Sequence, residues 1–350
     1  MSGANSFGSR FVVTSFGESH GAALGAVIDG VPAGLNWDEA LLSRELQRRR
    51  PGSSAVVSAR AENDNAEVLS GVYQGKTLGT PIALIVRNHD QRSQDYDSVS
   101  ESPRPGHADD VWKSKFAHVD PRGGGRASGR ETLARVMGGA VARMLLAAVC
   151  PQLQVLGFAR SIGPLELSAE ELNAFTGATP IPQSADAFVA RFPSVNRQSE
   201  VENLLLLAKS DGKSYGGIAE LRISGVPLGL GQPVFHKLKA DLAGALIGVG
   251  AAVSIEFGAG LEAAHAEGSV FHRQNEQSHY GGIRGGISTG ESIDLRVGFK
   301  PTATVLDLAK KGRHDPCIVP RAIPVLEAMA YLVLADHLLW TQTDQISKLK

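Results

Sequence analysis

A sequence repeat constrains the fold of this chain more than any other feature. Residues 21–35 are GAALGAVIDGVPAGL and residues 216–230 are GGIAELRISGVPLGL, at an offset of 195 positions. Both segments end in GVP-x-GL, and each precedes a segment with helical periodicity. The same offset matches the apolar helical segment 132–145 to segment 327–340. We infer a duplicated unit with a pseudo-two-fold axis.

Each half is predicted to contain a strand, a helix, hairpin-like strands and a long helix. Because both halves can share one core, residues 1–350 are predicted to form a single domain, with the repeat over approximately 10–150 and 205–340. A capping box, S-x-x-E at Ser128 and Glu131, predicts that the first long helix begins at Ser128. The predicted strands are 24–31, 66–72, 82–87, 152–160, 216–225, 252–257 and hairpin strands within 281–299. The other predicted helices are 38–49, one or two within 164–212, 235–248 and 320–339.

Composition disfavours several classes of protein. The net charge of −1, from 35 basic and 36 acidic residues, provides no field of one sign and argues against a dedicated nucleic-acid-binding protein. The most apolar stretches, 132–149 and 322–339, are interrupted by charged residues, which predicts buried helices rather than membrane spans. The two cysteines, Cys150 and Cys317, provide no disulfide framework and predict a reducing compartment, the cytoplasm. The N-terminal segment does not have the pattern of a signal peptide.

The first candidate catalytic motif is GESHG at residues 17–21, directly before a predicted strand. Its glycines free the backbone and bring Glu18, Ser19 and His20 to the edge of that strand. Histidine titrates near neutral pH, so His20 could donate a proton to a leaving phosphate. A histidine that is hydrogen-bonded to a backbone carbonyl is the structural alternative.

The second motif, RRRPG, places Arg48, Arg49 and Arg50 at the C-terminus of a predicted helix. An arginine that turns inward would bind phosphate or carboxylate through two parallel hydrogen bonds. The alternative is that the three charges are solvated and complement the helix dipole.

The polar segment 88–127 is predicted to be a long functional loop, because structureless loops of this length are uncommon inside compact domains. It carries DQRSQDY at 90–96 and RPGHAD at 104–109. Two His-x-Asp pairs, at 107–109 and 118–120, could ligate a metal ion. We predict no metal site, because arginines lie near these acidic residues and no HxxxH or CxxC companion exists.

The strongest anion-binding signal is PRGGGRASGRE at residues 121–131. This glycine- and arginine-rich loop leads directly into a helix, whose N-terminal N–H groups attract anions. The dinucleotide-binding pattern G-x-G-x-x-G is not met, because Ser128 stands at the last glycine position and no suitable βαβ unit follows.

Three motifs in the second half extend the basic set: GGIRGG at 281–286, KPTAT at 300–304 and GRHDP at 312–316. The lysine and threonines of the second motif suit phosphate. Arg313 and Asp315 flank a histidine in the third motif, and neighbours this close in sequence are expected to serve different partners.

Taken in order, GESHG, RRRPG, DQRSQDY, RPGHAD, RGGGRASGRET, GGIRGGISTG, KPT and GRHDPC resemble the motifs of the chorismate synthase family, from residue 10 to residue 340. The resemblance implies an α+β fold, a β-α-β sandwich with an internal pseudo-two-fold repeat. It implies a lyase that eliminates phosphate from 5-enolpyruvylshikimate 3-phosphate to form chorismate, the last common step of the shikimate pathway to aromatic amino acids. It also implies reduced FMN as cofactor and a homotetramer.

The resemblance also assigns roles to individual residues. His20 would protonate the leaving phosphate, His107 would stabilise the reduced flavin anion, and Asp315 would assist proton removal through flavin N5. The residues that would hold substrate anions are Arg49, Arg104, Arg130 and Arg313. The residues at flavin-binding positions are Arg49, Arg126, Ala127, Ser128, Gly250, Ala251, Gly286, Lys300, Pro301, Thr302, Ala303, Thr304 and Arg313.

The chain departs from the family pattern at two of these regions. Ala55 stands where the family usually has a second arginine after RRRPG, and Arg60 is a nearby candidate to replace it. Gly250 stands where asparagine or proline is common. Some relatives reduce the flavin with NADPH, and no motif in this chain decides whether NADPH or an external reductant serves here.

Two other functions are compatible with the motifs taken singly. A metal-dependent phosphohydrolase would use the His-x-Asp pairs and would lose activity to a chelator regardless of flavin reduction. A non-enzymatic module that binds phosphorylated ligands would show no turnover with reduced FMN.

Overall fold

The structure, a computed structural model, describes residues 3–50, 64–88, 106–120, 122–178, 180, 182–273, 277–303, 305 and 315–348.

The first half forms a five-stranded antiparallel sheet and a small hairpin. The strands are β1 (Ser6–Phe7), β2 (Val12–Phe16), β3 (Ala23–Asp29), β4 (Glu67–Val68), β5 (Val72–Tyr73), β6 (Lys76–Thr77) and β7 (Ile82–Arg87). The sheet has the order β1-β2-β3-β7-β4, and β5 pairs with β6. Along β3, Leu24, Ala26 and Ile28 are buried on the face that packs against the helices, as the period of two in a strand requires.

The second half forms an equivalent sheet and hairpin. Its strands are β8 (Gln154–Ile162), β9 (Leu165–Glu166), β10 (Gly217–Ser224), β11 (Ala252–Phe257), β12 (Ile283–Arg284), β13 (Ile287–Ser288) and β14 (Ile293–Phe299). The sheet has the order β11-β14-β10-β8-β9, and β12 pairs with β13. Four consecutive strands, β8-β10-β14-β11, therefore correspond in order to β2-β3-β7-β4, which agrees with the predicted repeat.

The helices between and around the sheets are α1 (Glu39–Arg49), α2 (Asp109–Phe116), α3 (Thr132–Val149), α4 (Ala169–Thr176), α5 (Gln198–Ser210), α6 (Leu238–Ile247), α7 (Gly268–Phe271) and α8 (Val319–Trp340). Helix α3 packs on β2 and β3, whereas α8 packs on β8 and β10. Helices α3 and α8 contact each other, α1 packs on α3, and α6 packs on α8. The result is a helical layer between two sheets, the α+β sandwich that the family resemblance implied.

Two helical segments, Gly129–Val149 and Val319–Thr343, are long and apolar enough by composition to cross a membrane. In this protein, 72% and 89% of the most apolar 18-residue stretch of each segment, respectively, is buried. They form the central layer of the sandwich, so both stretches are buried helices, as the interrupting charges predicted.

Three sequence predictions about local structure were wrong. The predicted strand 66–72 is divided into β4 and β5, because Gly71 adopts a φ of +83°. The predicted loop 88–127 contains α2, whose described side chains are mostly exposed and so gave no core-facing periodicity. Ser128 caps a 3₁₀ turn, Gly129–Glu131, through a bond to Arg130 N, and α3 begins only at Thr132.

Helices α3 and α8 approach each other closely at Gly139. A Cβ on Gly139 would lie 2.4 Å from the Ala328 Cβ and 2.5 Å from the Ala328 Cα. Neither of these atoms is the end of a flexible side chain, so the two backbones would have to separate. At Gly138, a Cβ would lie 2.7 Å from Val13 of β2. The missing side chains let the helices approach each other and the first sheet.

We predict that Gly139→Ala destabilises the protein by about 1–3 kcal/mol, because overpacking at this contact outweighs the better helix propensity of alanine. Gly244→Ala in α6 is the matched control. A Cβ there meets nothing within 4 Å, so this change is expected to stabilise by up to about 1 kcal/mol. Chemical denaturation measures both, and equal effects of the same sign would contradict the close-packing explanation.

Candidate active site

The C-terminus of α1 is fixed by a buried ion-pair network, and this fixes the position of Arg49. Arg48 pairs with Glu327 of α8 and with Asp186, each at 2.6 Å. Burial raises the pKa of the Glu327 carboxyl, and Arg48 opposes that shift. Arg191 donates to the backbone carbonyls of Arg48 and Pro320. The Pro320 carbonyl has no helical partner at Pro324, because proline has no N–H. The turn that carries Arg49 is therefore tied to α8.

Arg49 turns inward, as one of the two interpretations of RRRPG required. It is 2% exposed, and its Nε donates to Thr132 Oγ1 at 3.0 Å. Its Nη2 donates to the carbonyl of Gly129 at 3.0 Å. Both partners belong to the segment in which the glycine- and arginine-rich loop becomes α3.

One buried carboxylate links Arg49 to Arg130. Asp64 accepts from Arg49 Nη1 at 3.2 Å through Oδ2 and from Arg130 Nη1 at 3.1 Å through Oδ1. Arg130 is 8% exposed and Asp64 is 6% exposed. Two guanidinium groups share this carboxylate in a region largely removed from water, where a charged group must be paired.

Asn88 links Arg130 to the GESHG loop. Its Oδ1 accepts from Arg130 Nε at 3.0 Å and Nη2 at 2.9 Å. Its Nδ2 donates to the carbonyls of Gly21, at 2.7 Å, and Ser19, at 3.3 Å. His20 lies between these two carbonyls in sequence.

His20 is 9% exposed and lies near a hydroxyl and a carboxylate. Its Nδ1 is 3.1 Å from Ser19 Oγ. Asp120 accepts from Arg122 Nε at 2.8 Å and Nη2 at 2.7 Å. These hydrogen bonds hold the pKa of Asp120 below its usual value, and the charge of a protonated His20 lowers it further. The Asp120 carboxylate therefore remains ionised and lies within electrostatic reach of His20.

Arg126 connects the glycine- and arginine-rich loop to the first sheet, and Ser128 caps the 3₁₀ turn that precedes α3. Arg126 donates to Ser15 Oγ at 2.8 Å and to the carbonyl of Gly17 at 3.0 Å. The Ser19 N–H donates to the carbonyl of Gly125 at 3.4 Å. Ala127 lies between the two predicted contact residues, in the 3₁₀ segment Arg122–Ala127.

The second half contributes several polar side chains around the end of β14. Lys300 Nζ donates to the carbonyl of Gly106 at 3.0 Å, which places this strand end beside half-buried His107. Thr302 Oγ1 donates to the carbonyl of Asp315 at 2.9 Å. The buried Asp315 carboxylate in turn accepts from Arg321 Nη1. Pro301 and Ala303 belong to the same segment.

The turn that follows α6, at residues 248–251, contacts both α3 of the first half and the segment after β14. The Lys300 N–H donates to the carbonyl of Ala251 at 3.0 Å. Arg135 of α3 donates to the carbonyl of Gly248 at 3.0 Å and pairs with Glu131 at 2.9 Å. A Cβ on Gly250 would meet nothing within 4 Å, so there is space beside this turn.

Gly286 lies apart from Gly250 and Ala251, two other predicted flavin-binding residues, within one chain. Its carbonyl accepts from the Leu238 N–H at 2.7 Å, at the N-terminal end of α6. Gly250 and Ala251 follow the C-terminal end of α6, about 15 Å away for a helix of ten residues. The predicted residues Arg104, Arg313 and Thr304, as well as Ala55 and Arg60, lie outside the described residues.

Three polar residues that hold the site together were missed by sequence analysis. Asp64, Asn88 and Arg135 contact the predicted arginines or the turn at 248–251. Asn88 directly follows β7 and is the first residue of the polar segment 88–127, a position that could have marked it as a candidate. No local pattern distinguishes Asp64 or Arg135. Within the described part of the chain, no group of three or more His, Cys, Asp or Glu side chains is placed to hold a metal ion.

We predict that Asp64→Asn destabilises the protein by about 3–5 kcal/mol, the usual effect of removing one partner from a buried ion pair. Added phosphate or sulfate is expected to raise the Tm of this variant more than that of the wild type, because the anion replaces the lost charge. Asp344→Asn, an exposed change of the same kind, is the control. Equal anion effects in all three proteins would contradict the role of Asp64 as counter-charge.

Comparisons with known proteins agree with this architecture. The family model for chorismate synthase matches residues 11–339. The chorismate synthase of Bdellovibrio bacteriovorus is 60% identical over 346 residues, covering 98% of this chain and 99% of that protein. The chorismate synthase of Methanothermobacter thermautotrophicus is 42% identical, covering 96% of this chain and 94% of that protein. A crystal structure of a chorismate synthase superposes with a TM-score of 0.76 at 31% identity, covering 98% of this chain and 96% of that one. The chain therefore belongs to the chorismate synthase family of lyases.

Proposed function

We propose that this chain eliminates phosphate from 5-enolpyruvylshikimate 3-phosphate to form chorismate, with reduced FMN bound. The observation that carries the proposal is the buried pair Arg49 and Arg130, which share the carboxylate of Asp64 beside the His20 loop. The substrate carries a phosphate and two carboxylates, so it needs several cations in one place. Arg104 and Arg313, outside the described residues, are proposed as further contacts.

The reaction removes a phosphate and a proton from the ring and forms one double bond, without net oxidation. His20 is proposed to donate a proton to the departing phosphate, and the Asp120 carboxylate, held in place by Arg122, would stabilise the protonated imidazole. Asp315 is proposed to assist removal of the ring proton, with its carboxylate held in place by Arg321. Arg49 and Arg130 would stabilise the negative charge that grows on phosphate as the C–O bond breaks.

The residues present fit a phosphate-bearing flavin. The side chains of Arg126, Ser128, Lys300 and Thr302 offer hydrogen-bond donors, and the backbones at Gly250 and Gly129 border open space. Arg126, Ala127, Ser128, Gly250, Ala251 and the 300–304 segment would hold the cofactor, and His107 would lie beside it. Reduced FMN would supply electron density that assists the departure of phosphate.

We further propose that the chain is one domain that assembles as a homotetramer in the cytoplasm, without nucleic acid or membrane as a partner. Gly286 would then be supplied to a flavin site by a neighbouring chain, because it lies at the opposite end of α6 from Gly250. The thiols of Cys150 and Cys317 are free and buried, which suits a reducing compartment. Burial raises the pKa of Cys317 to about 12, so this thiol is unreactive.

Anaerobic turnover tests the proposed reaction. With chemically reduced FMN, the purified protein is expected to release phosphate and chorismate in equal amounts, and oxidised FMN should not support the reaction. Activity that survives with oxidised FMN but disappears with EDTA would favour a metal-dependent phosphohydrolase instead. Bleaching of FMN by NADPH in the absence of air would show whether the protein reduces its own flavin.

We predict that His20→Ala and His107→Ala each lower kcat by about 10²- to 10⁴-fold, as expected for groups that transfer protons or stabilise charge in the reaction. His265→Ala, on an exposed 3₁₀ segment, is the control and should retain wild-type kcat. Steady-state kinetics across pH measures all three. A wild-type rate and pH profile in either of the first two variants would remove that histidine from the mechanism.

A further inference from the structure

Asn88 has four side-chain hydrogen bonds that leave no freedom in the orientation of its amide. Its Oδ1 faces two N–H groups of Arg130, and its Nδ2 faces the carbonyls of Ser19 and Gly21. A guanidinium can only donate and a carbonyl can only accept. A flipped amide would oppose its NH2 group to the N–H donors of Arg130, and its oxygen to the two carbonyl oxygens.

The two ends of this amide contact two different parts of the proposed chemistry. Arg130 is proposed to bind an anion of the substrate, whereas Ser19 and Gly21 flank His20, the proposed proton donor. The backbone of Asn88 is fixed as well, because its N–H donates to the carbonyl of Ala22 at 3.0 Å at the end of the β3–β7 pair. Asn88 thus joins the His20 loop to the arginine through a single rigid group.

Arg130 is also held on its other side. Asp64 accepts from its Nη1 at 3.1 Å, while Asn88 accepts from Nε and Nη2. The two partners together therefore orient the planar guanidinium. Of the two, Asn88 is the one for which the structure also describes hydrogen bonds to the His20 loop.

We propose that Asn88 is a positioning residue that sets the placement of His20 relative to Arg130, so that the proton donor and the bound anion are correctly aligned. This inference rests on the proposed function. Asn88 makes no chemical contribution of its own, because an uncharged amide neither gives nor takes a proton at neutral pH. Its effect comes from alignment, in which an error of about 1 Å can reduce a rate by about 10²-fold.

The substitution Asn88→Asp separates the two ends of the amide. Aspartate has the same shape and still accepts from Arg130, but it cannot donate to the carbonyls of Ser19 and Gly21. We expect kcat to fall by about 10²-fold. KM is expected to rise as well, because the new carboxylate neutralises Arg130, where the substrate anion is proposed to bind. Asn88→Ala removes both ends and is expected to lower kcat and also raise KM. Asn173→Asp, on the exposed side of α4, is the charge-matched control.

A double-mutant cycle distinguishes positioning from general damage. If Asn88 acts through His20, Asn88→Asp has little further effect on kcat in a His20→Ala background. A full additional loss in that background, or a wild-type kcat in Asn88→Asp alone, would overturn the proposal. If Asn88→Asp does not fold, as judged by its Tm, the smaller Asn88→Ser is used in the same cycle.

The NMR titration of the His20 imidazole provides a readout that does not need turnover. Its midpoint is expected to differ between wild type and Asn88→Asp and to be unchanged in Asn173→Asp. If the wild type releases no phosphate with reduced FMN, the proposed reaction fails, and this titration alone decides whether Asn88 is coupled to His20. Identical midpoints in wild type and Asn88→Asp would then overturn the coupling.

Discussion

The close approach of α3 and α8 at Gly139 and Ala328 is the contact on which the rest of the structure depends. Each helix belongs to one half of the duplicated chain, and each packs on the sheet of its own half. Their contact therefore joins the two halves into one sandwich. A residue with a Cβ at position 139 would separate them. Apolar burial supplies the driving force, but the missing side chain decides how close the helices come.

The proposed site lies where this helical layer meets the loops of both halves. Arg135 of α3 contacts the carbonyl of Gly248, and Lys300 contacts that of Gly106. Each of these bonds joins a residue of one half to a backbone carbonyl of the other. The duplication thus explains why residues far apart in sequence converge, and why one half alone would hold only part of the site.

Electrostatics then determines what the site can bind. Arg49 and Arg130 are almost fully buried, and burying a charge is unfavourable unless it is paired. Asp64 pairs with both, so the folded protein tolerates two cations close together. The guanidinium groups are also of the kind that binds carboxylate and phosphate groups of a substrate. The same buried carboxylate therefore stabilises the fold and holds the two guanidinium groups in place.

Sequence periodicity predicted the elements that carry one apolar face and missed those that do not. Strand β7 was predicted at 82–87 with its observed bounds, and α8 within one residue at each end, because buried residues recur along them. Helix α2 was missed because it is mostly exposed. The turn after Ser128 was misassigned because a capping-box sequence cannot distinguish a 3₁₀ start from an α-helical one.

The loops of the site were predictable because glycines, arginines and histidines cluster in them. The residues that hold those loops together were not. Asp64 and Asn88 act through partners that are distant in sequence, such as Arg130 and Gly21, and nothing in their local sequence predicts those contacts. For Gly286, the motif was evident in the sequence, but its position was not. It lies at the N-terminal end of α6, and this depends on how the β12–β13 hairpin packs.

A crystal structure of the protein with oxidised FMN and 5-enolpyruvylshikimate 3-phosphate tests the central claim most directly. The account predicts anionic groups of the substrate within hydrogen-bonding distance, about 3 Å, of Arg49 and Arg130, with the His20 imidazole facing the phosphate. A substrate bound elsewhere, with Arg49 and Arg130 still paired only to protein groups, would contradict it.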